Sequence, residues 1–293
     1  MLSDASAEAL LAWGRTARRD LPWRSTRDPW LVLVSEVMLQ QTQVDRVLDR
    51  YLRFAEAWPT PADLAADDLA SVLREWQGLG YPRRARNLHL AAGEMVARFG
   101  GAVPRSYDDL VTLPGVGPYT ARAVRVFAFE EHEAVLDTNV GRLLARWHGA
   151  PLTATDAQLM ADALVPPAAA WEWGQTLFDF ASAVCTKRRP SCADCLLARD
   201  CPSAKVAGSP LDPAISSAAV SGRQSGFPGS HREARGVVLR IVGAGPVASS
   251  DAVDRAARFD IDQKRGERAL DSLVSDGLVE VFDGLLRLPL TQR

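Results

Sequence analysis

An all-α fold is predicted for roughly the first two hundred residues, and two observations predict it: a helical apolar period, and breaks at proline and glycine without strand-like alternation. The period is plain in Val44, Val47, Leu48, Tyr51, Leu52 and Ala55, which recur at three- and four-residue spacing. Breaks at Pro59, Gly78, Gly80, Pro104, Pro114 and Pro151 divide the helices.

With 47% apolar and 24% charged residues among 293, the chain can bury a sizeable core, as one large domain or two to three smaller ones. The opening MLSDASAEAL carries an acid where a signal peptide carries lysine or arginine, and no run of about 18 apolar residues occurs. A soluble intracellular protein without membrane contact is expected. Lys and Arg total 34 against 36 Asp and Glu, so net charge gives no footprint of a polyanion binder. Basic residues do cluster at Arg83, Arg84, Arg86 and at Lys187, Arg188, Arg189, and taken alone each cluster reads as a solvated face.

From Pro202 to about Ala234 the composition shifts to Ala, Ser, Gly and Pro, which predicts a flexible linker over 203–233. Beyond it, GVVLRIV reads as helix or strand, SSDAVDRAARF and KRGERALDSLVSDGL as helices, and VEVF-DG-LLRL as a tight hairpin. That order suits a small winged-helix-like domain over 234–293, and equally a helical tail with a terminal hairpin and no ligand.

All four cysteines lie in the loop 185–201, spaced Cys185-x6-Cys192-x2-Cys195-x5-Cys201. In a reducing compartment a metal site outranks disulfides, and four thiolates suit zinc or an iron–sulfur cluster. Structural zinc usually draws on two close pairs, whereas one Cys-x-x-Cys is present here.

Three further segments carry candidate chemistry. The segment LPGVGPYTARAV follows a helix that ends near Leu110; Gly115 and Gly117 permit a tight turn with bare N–H groups, and Pro118 opens the next helix. Such a helix N-terminus takes an anion, a phosphate above all, although a Gly-x-Gly turn between helices is often only a turn. In LDTNVGRLLAR, Asp137 stands 20 residues after Gly117 and reads first as a helix N-cap. In LVSEVMLQQTQV, Glu36 reads as an acid early in a helix, followed by the polar run Gln40, Gln41, Thr42 and Gln43.

These segments resemble one family. The turn at Gly115 and Gly117 resembles the helix-hairpin-helix of the DNA glycosylase superfamily, and the cysteine spacing is similar to the cluster loop of endonuclease III and the adenine glycosylases. Ser35 through Gln43 resembles the catalytic segment of the adenine DNA glycosylases (the MutY family), which remove adenine mispaired with oxidised guanine. Leu136, Asp137, Asn139 and Val140 match the motif of the family's essential aspartate, and Leu21-Pro22-Trp23-Arg24 its N-terminal motif. Tyr81 in Gly78-Leu79-Gly80-Tyr81 matches the aromatic that wedges into the duplex, but Pro82 stands where a second tyrosine commonly follows. The resemblance covers about residues 5–202.

It implies a two-lobed helix-hairpin-helix domain over 1–202, with one structural [4Fe–4S] cluster on Cys185, Cys192, Cys195 and Cys201 and a basic loop set for phosphate contact. It implies a monomer in the cytoplasm, nucleoid-associated if bacterial, acting on double-stranded DNA with an adenine mispair. Glu36 would protonate the purine, its pKa raised in a dry pocket, while Asp137 stays ionised to stabilise the oxocarbenium-like sugar or attack it transiently. Asn139 and Tyr119 would orient that aspartate and the water. Trp23, Arg24, Leu39 and Gln175 would line the base pocket, beside Gln40, Gln41 and Thr42; by themselves Trp23 reads as core, Arg24 as a surface charge and Gln175 as helix surface.

Endonuclease III-like enzymes carry a lysine at position 119 that cuts the strand through a Schiff base, which Tyr119 cannot do. A monofunctional hydrolase leaving an abasic site is therefore expected, with adenine opposite 8-oxoguanine or guanine as its target. The alternatives are a G:T mismatch thymine glycosylase, an endonuclease III-like enzyme, or a non-catalytic iron–sulfur DNA-binding redox sensor. Family members commonly carry a larger C-terminal domain, resembling nucleotide-pyrophosphate hydrolases, that reads the oxidised guanine. Here Lys264, Arg265 and Arg268 are expected to contact the duplex backbone in its place, and Ser230-His231 only superficially resembles a family Ser-His contact.

Overall fold

A computed structural model describes residues 2–217 and 226–290. The chain begins with α1 (Asp4–Ala17) and a single 3-10 turn at Pro22–Arg24. There follow α2 (Pro29–Leu39), α3 (Val44–Ala57), α4 (Pro61–Ala66), α5 (Leu69–Glu75), α6 (Arg83–Phe99) and α7 (Tyr107–Thr112). After the hairpin come α8 (Pro118–Phe129), α9 (Thr138–His148), α10 (Ala154–Ala163) and α11 (Ala170–Ala183). The C-terminal part holds α12 (His231–Gly243), α13 (Ser249–Ala257), α14 (Gln263–Ser275) and a hairpin of β1 (Glu280–Phe282) and β2 (Leu285–Arg287). Among the described residues no helix is long and apolar enough to cross a membrane.

The chain divides into two compact units, one of Met1–Arg27 with Gly117–Arg223 and one of Asp28–Val116 with Gln224–Arg293. This division differs from a 1–202 domain followed by a separate 234–293 domain, because the C-terminal helices pack on α5 and share a unit with it.

In the first unit α11 is the central rod, packed by α1, α8 and α9. Gly14 makes the α1–α11 approach possible, since a Cβ there would lie 2.1 Å from Thr176 Oγ1. Trp13 meets Phe180 edge to face with ring centroids 5.2 Å apart. Part of the expected linker is folded here: Pro213–Ser216 forms a 3-10 turn against α9, and Asp212 is buried. The tie is a buried ion pair, Arg146 Nη2 to Asp212 Oδ2 at 2.7 Å, from a partner 66 residues away that composition does not reveal. Residues 218–225 of that linker lie outside the described residues.

In the second unit α2 is apolar nearly all round and is buried by α3 and α6. Asp28 caps it, accepting from Trp30 N at 2.8 Å, and Pro29 opens it. Phe54, Trp58 and Trp76 form an aromatic cluster, with Phe54 4.6 Å from Trp58 and 6.0 Å from Trp76 between centroids. The C-terminal part is three helices and a hairpin whose turn, Asp283-Gly284, has φ of +50° and +76°, as a two-residue type I′ loop requires. Val247 bridges to Leu286. Pro289 O accepts from Ala70 N at 3.1 Å, which ties the end of the hairpin to α5.

Candidate functional site

Within the second unit, Glu36 is buried and lies in the last turn of α2, not early in a helix as the sequence suggested. The start of α2 is set eight residues earlier by the Asp28 cap. Leu39 ends α2, and Gln40 and Gln41 turn the chain, with Gln41 at φ +57°. Thr42 Oγ1 then donates to Leu79 O at 3.2 Å.

Arg84 fixes that turn. Its guanidinium donates to Val37 O at 2.7 Å, Met38 O at 2.8 Å, Thr42 Oγ1 at 3.0 Å, Gly80 O at 2.9 Å and Leu79 O at 3.1 Å. One buried cation thus binds the C-terminal end of the Glu36 helix to the Gly-Leu-Gly-Tyr turn. Burial lowers its pKa to about 10. Arg84 is therefore not part of a solvated basic face, whereas the Arg83 side chain is 69% exposed. Tyr81, half-buried at φ +48°, follows Gly78 and Gly80, which also have positive φ. Gly115 lies in the turn after α7 at φ +80°, where a Cβ would press on Asn87 Cβ at 2.8 Å, so both conformation and space demand glycine.

Within the first unit, Asp137 is the N-cap of α9, its Oδ1 accepting from Val140 N at 2.7 Å and Asn139 N at 2.9 Å. The Asn139 side chain donates to Asp137 Oδ2 at 2.8 Å and accepts from Arg142 Nη1 at 2.9 Å. Arg142 continues the chain of contacts to Cys185 O at 3.0 Å and Ala181 O at 2.7 Å. Capping and a precisely directed carboxylate are thus one feature. Tyr119 lies in the first turn of α8 and is half-buried. Gly117, the N-cap of α8, has φ −93° and open space where a Cβ would stand, so nothing inside the protein requires glycine there. Its backbone is exposed, with no side chain capping the helix.

Trp23, Arg24 and Gln175 are all buried in the same unit. Arg24 is not a surface charge: its Nη1 lies 2.7 Å from Asp179 Oδ2 and its Nη2 3.1 Å from Oδ1. Burial alone would raise the Asp179 pKa, but Arg24 and Arg19 outweigh it and hold the carboxyl below its usual range. Asp179 stands one turn along α11 from Gln175 and places both on its inward side.

The four cysteines are unpaired and line one pocket with Arg146, Trp147 and Phe180. Arg146 is 1% exposed and donates to Cys185 Sγ at 3.2 Å, Thr186 O at 2.8 Å and Lys187 O at 3.2 Å. Burial pushes the thiols of Cys185, Cys195 and Cys201 up, so free thiols here are protonated and a bound metal must displace those protons. Among the described residues no three Cys, His, Asp or Glu side chains converge on a single metal ion. Four thiols lining one pocket are a donor set that zinc or an iron–sulfur cluster accepts.

Arg142, Arg146 and Asp212 were not singled out from the sequence, and Arg84 was read there only as one of a basic cluster. For Arg142 and Arg146 a signal existed, since they sit one turn apart among the apolar positions of NVGRLLARW. Of the helix before the hairpin, Arg265 is engaged by Glu233 at 3.2 Å. Lys264 and Arg268 are exposed beside Glu267 and Asp271, so that face is mixed in charge and not a basic stripe. Ser230 caps α12, accepting from Glu233 N at 3.2 Å, and His231 Nε2 lies 3.1 Å from Ser272 Oγ.

The model of the HhH-GPD superfamily base excision DNA repair proteins matches residues 34–167. The adenine DNA glycosylase of Mycolicibacterium smegmatis is 41% identical over 280 residues, which cover 92% of this chain and 91% of that protein. That alignment therefore runs past residue 202, where the motif resemblance ended. Among solved structures, a thermostable thymine-DNA glycosylase aligns with a TM-score of 0.63 at 29% identity, over 67% of this chain and 94% of that one. A trapped endonuclease III–DNA covalent intermediate aligns with a TM-score of 0.60 at 25% identity, over 70% and 98%.

Proposed function

This chain belongs to the adenine DNA glycosylase family of helix-hairpin-helix base excision repair proteins, and we propose that it hydrolyses the N-glycosidic bond of adenine mispaired with 8-oxoguanine or guanine in duplex DNA, leaving an abasic site. The observation that carries the reading is the Asp137 carboxylate, aimed by two backbone N–H groups and the Asn139 amide.

The target base is first flipped from the stack, at a cost of a few kcal/mol. Glu36 gives its proton to the purine as the C1′–N9 bond breaks and the electron pair leaves with the base. Asp137 offsets the positive charge that develops on the sugar, directly or by a transient bond to C1′. Water then adds to C1′ and loses its proton to a carboxylate, with Asn139 and Tyr119 orienting the aspartate and the water. Leu39, Gln40, Gln41 and Thr42 meet the base from the Glu36 segment, and Trp23 and Gln175 stack and read it. Arg24, next to Trp23 in the chain, is itself held by Asp179. Tyr81 meets the duplex, and the uncapped N-terminus of α8 at Gly117 receives a backbone phosphate.

Cys185, Cys192, Cys195 and Cys201 would hold a [4Fe–4S] cluster, which supplies a structural cross-link for the loop that carries Lys187, Arg188 and Arg189. The protein works as a monomer. Free adenine appearing with strand breaks only after alkali supports this reading. Breaks without alkali would mean a lyase, and release of thymine from a G:T pair with none of adenine would move the assignment to a thymine glycosylase.

A further inference from the structure

Tyr81 sits on a turn whose backbone is fixed from within residues 28–116. Arg84 donates to Leu79 O and Gly80 O, Trp76 Nε1 donates to Gly80 O at 3.1 Å, and Arg46 donates to Gly78 O. A fixed backbone still leaves a tyrosine ring several staggered directions. The far end of this ring is held from elsewhere: Arg232, 151 residues on, donates from Nη1 to the Tyr81 hydroxyl. The Arg232 guanidinium carbon also lies 5.6 Å from the ring centroid.

Arg232 is the second residue of α12, and α12 is firmly seated. Ser230 caps it, Arg235 bonds Asp276 at 2.7 Å and Ser272 at 2.6 Å, and Arg74 Nε reaches Gly243 O at 3.4 Å. Asp276 in turn lies 3.8 Å from Arg83, two residues after Tyr81. The C-terminal helices therefore end on the very turn that bears Tyr81.

We infer that Arg232 is a positioning residue for DNA binding, which selects one direction of the Tyr81 ring and so makes the C-terminal helices part of the duplex-engaging surface. The inference rests on the reading above that Tyr81 meets the duplex. A ring ordered before binding does not lose that freedom on binding, and a charge-assisted hydrogen bond is strong enough to order it. This role does not need a basic recognition face on α14, which the mixed charges there do not supply.

The test is a double-mutant cycle in the full-length protein with Arg232→Met, which keeps the stem, and Tyr81→Phe, which loses only the hydroxyl. Binding is measured to a duplex with adenine opposite 8-oxoguanine, and thermal unfolding shows that each variant is folded. Each single change is expected to weaken binding by about tenfold, and the double change by no more than either alone. Arg232→Lys, which keeps a cationic donor, should recover part of the loss. Additive losses, no loss in Arg232→Met, or no recovery with lysine would overturn the inference. The unaltered protein is assayed in parallel for adenine release, so that failure of the functional reading shows there, independently of the cycle.

Discussion

Asn139 Nδ2 lies 2.8 Å from Asp137 Oδ2, and this contact defines the direction of the aspartate as firmly as the helix cap does. The cap occupies Oδ1 through two backbone N–H groups, while the amide takes Oδ2, so the two oxygens have separate anchors. The amide is itself held by Arg142, whose guanidinium rests on the carbonyl of a cysteine in the four-cysteine loop. Replacing Asn139 by alanine should therefore lower the rate of adenine release by about 100-fold, the effect of a misplaced reacting group. Its cost in stability should be only about 1 kcal/mol. Single-turnover kinetics beside thermal unfolding separate the two effects.

Arg84 should behave in the opposite proportion. Its removal leaves five carbonyl and hydroxyl acceptors of two segments without their common donor. Arg84→Met is expected to cost about 3 kcal/mol of folding free energy, read as a lowered denaturation midpoint. Arg84→Lys should recover little of it, because one ammonium cannot reach acceptors arranged for a planar fork.

Asp179 predicts an acid dependence. Its folded pKa is held below the unfolded value, so its contribution is full above the unfolded value of about 3.9 and is lost as pH falls through the folded one. Asp179→Asn strands the buried Arg24 charge and should cost about 3–5 kcal/mol at neutral pH. The gap between variant and parent should narrow as the pH is lowered below that unfolded value, which unfolding curves across the acid range would show.

The cysteine loop predicts a metal count. Protein purified without oxygen should carry about four iron atoms per chain if the cluster is present, against about one zinc for a single-ion site. Cys192→Ser should lower both the iron content and the unfolding temperature. Zinc in place of iron would overturn the cluster assignment.

What the sequence disclosed follows from the range of each interaction. The N-cap role of Asp137, the Asp-Gly hairpin and the spacing of the cysteines are local patterns, and a single stretch of chain displays them. The buried arginines are different. Arg24 finds Asp179 155 residues away and Arg146 finds Asp212 66 residues away, so each read as a surface charge or passed unnoticed. Glu36 was misplaced along its helix because the Asp28-Pro29 start was not recognised. The packing of the C-terminal helices on α5 rests on contacts such as Ala70 N with Pro289 O, which no periodicity announces.

Asp137→Asn tests the central claim most directly, because asparagine can keep the two cap bonds at Oδ1 and gives up the charge and the Asn139 contact at Oδ2. Full-length parent and variant would be incubated with a duplex bearing adenine opposite 8-oxoguanine, and strand breaks scored with and without alkali. Alkali-dependent breaks at the adenine in the parent, reduced by about 1,000-fold or more in a variant that unfolds at the same temperature, are the predicted result. Adenine release by Asp137→Asn at the parental rate, or none from the parent itself, would contradict the account.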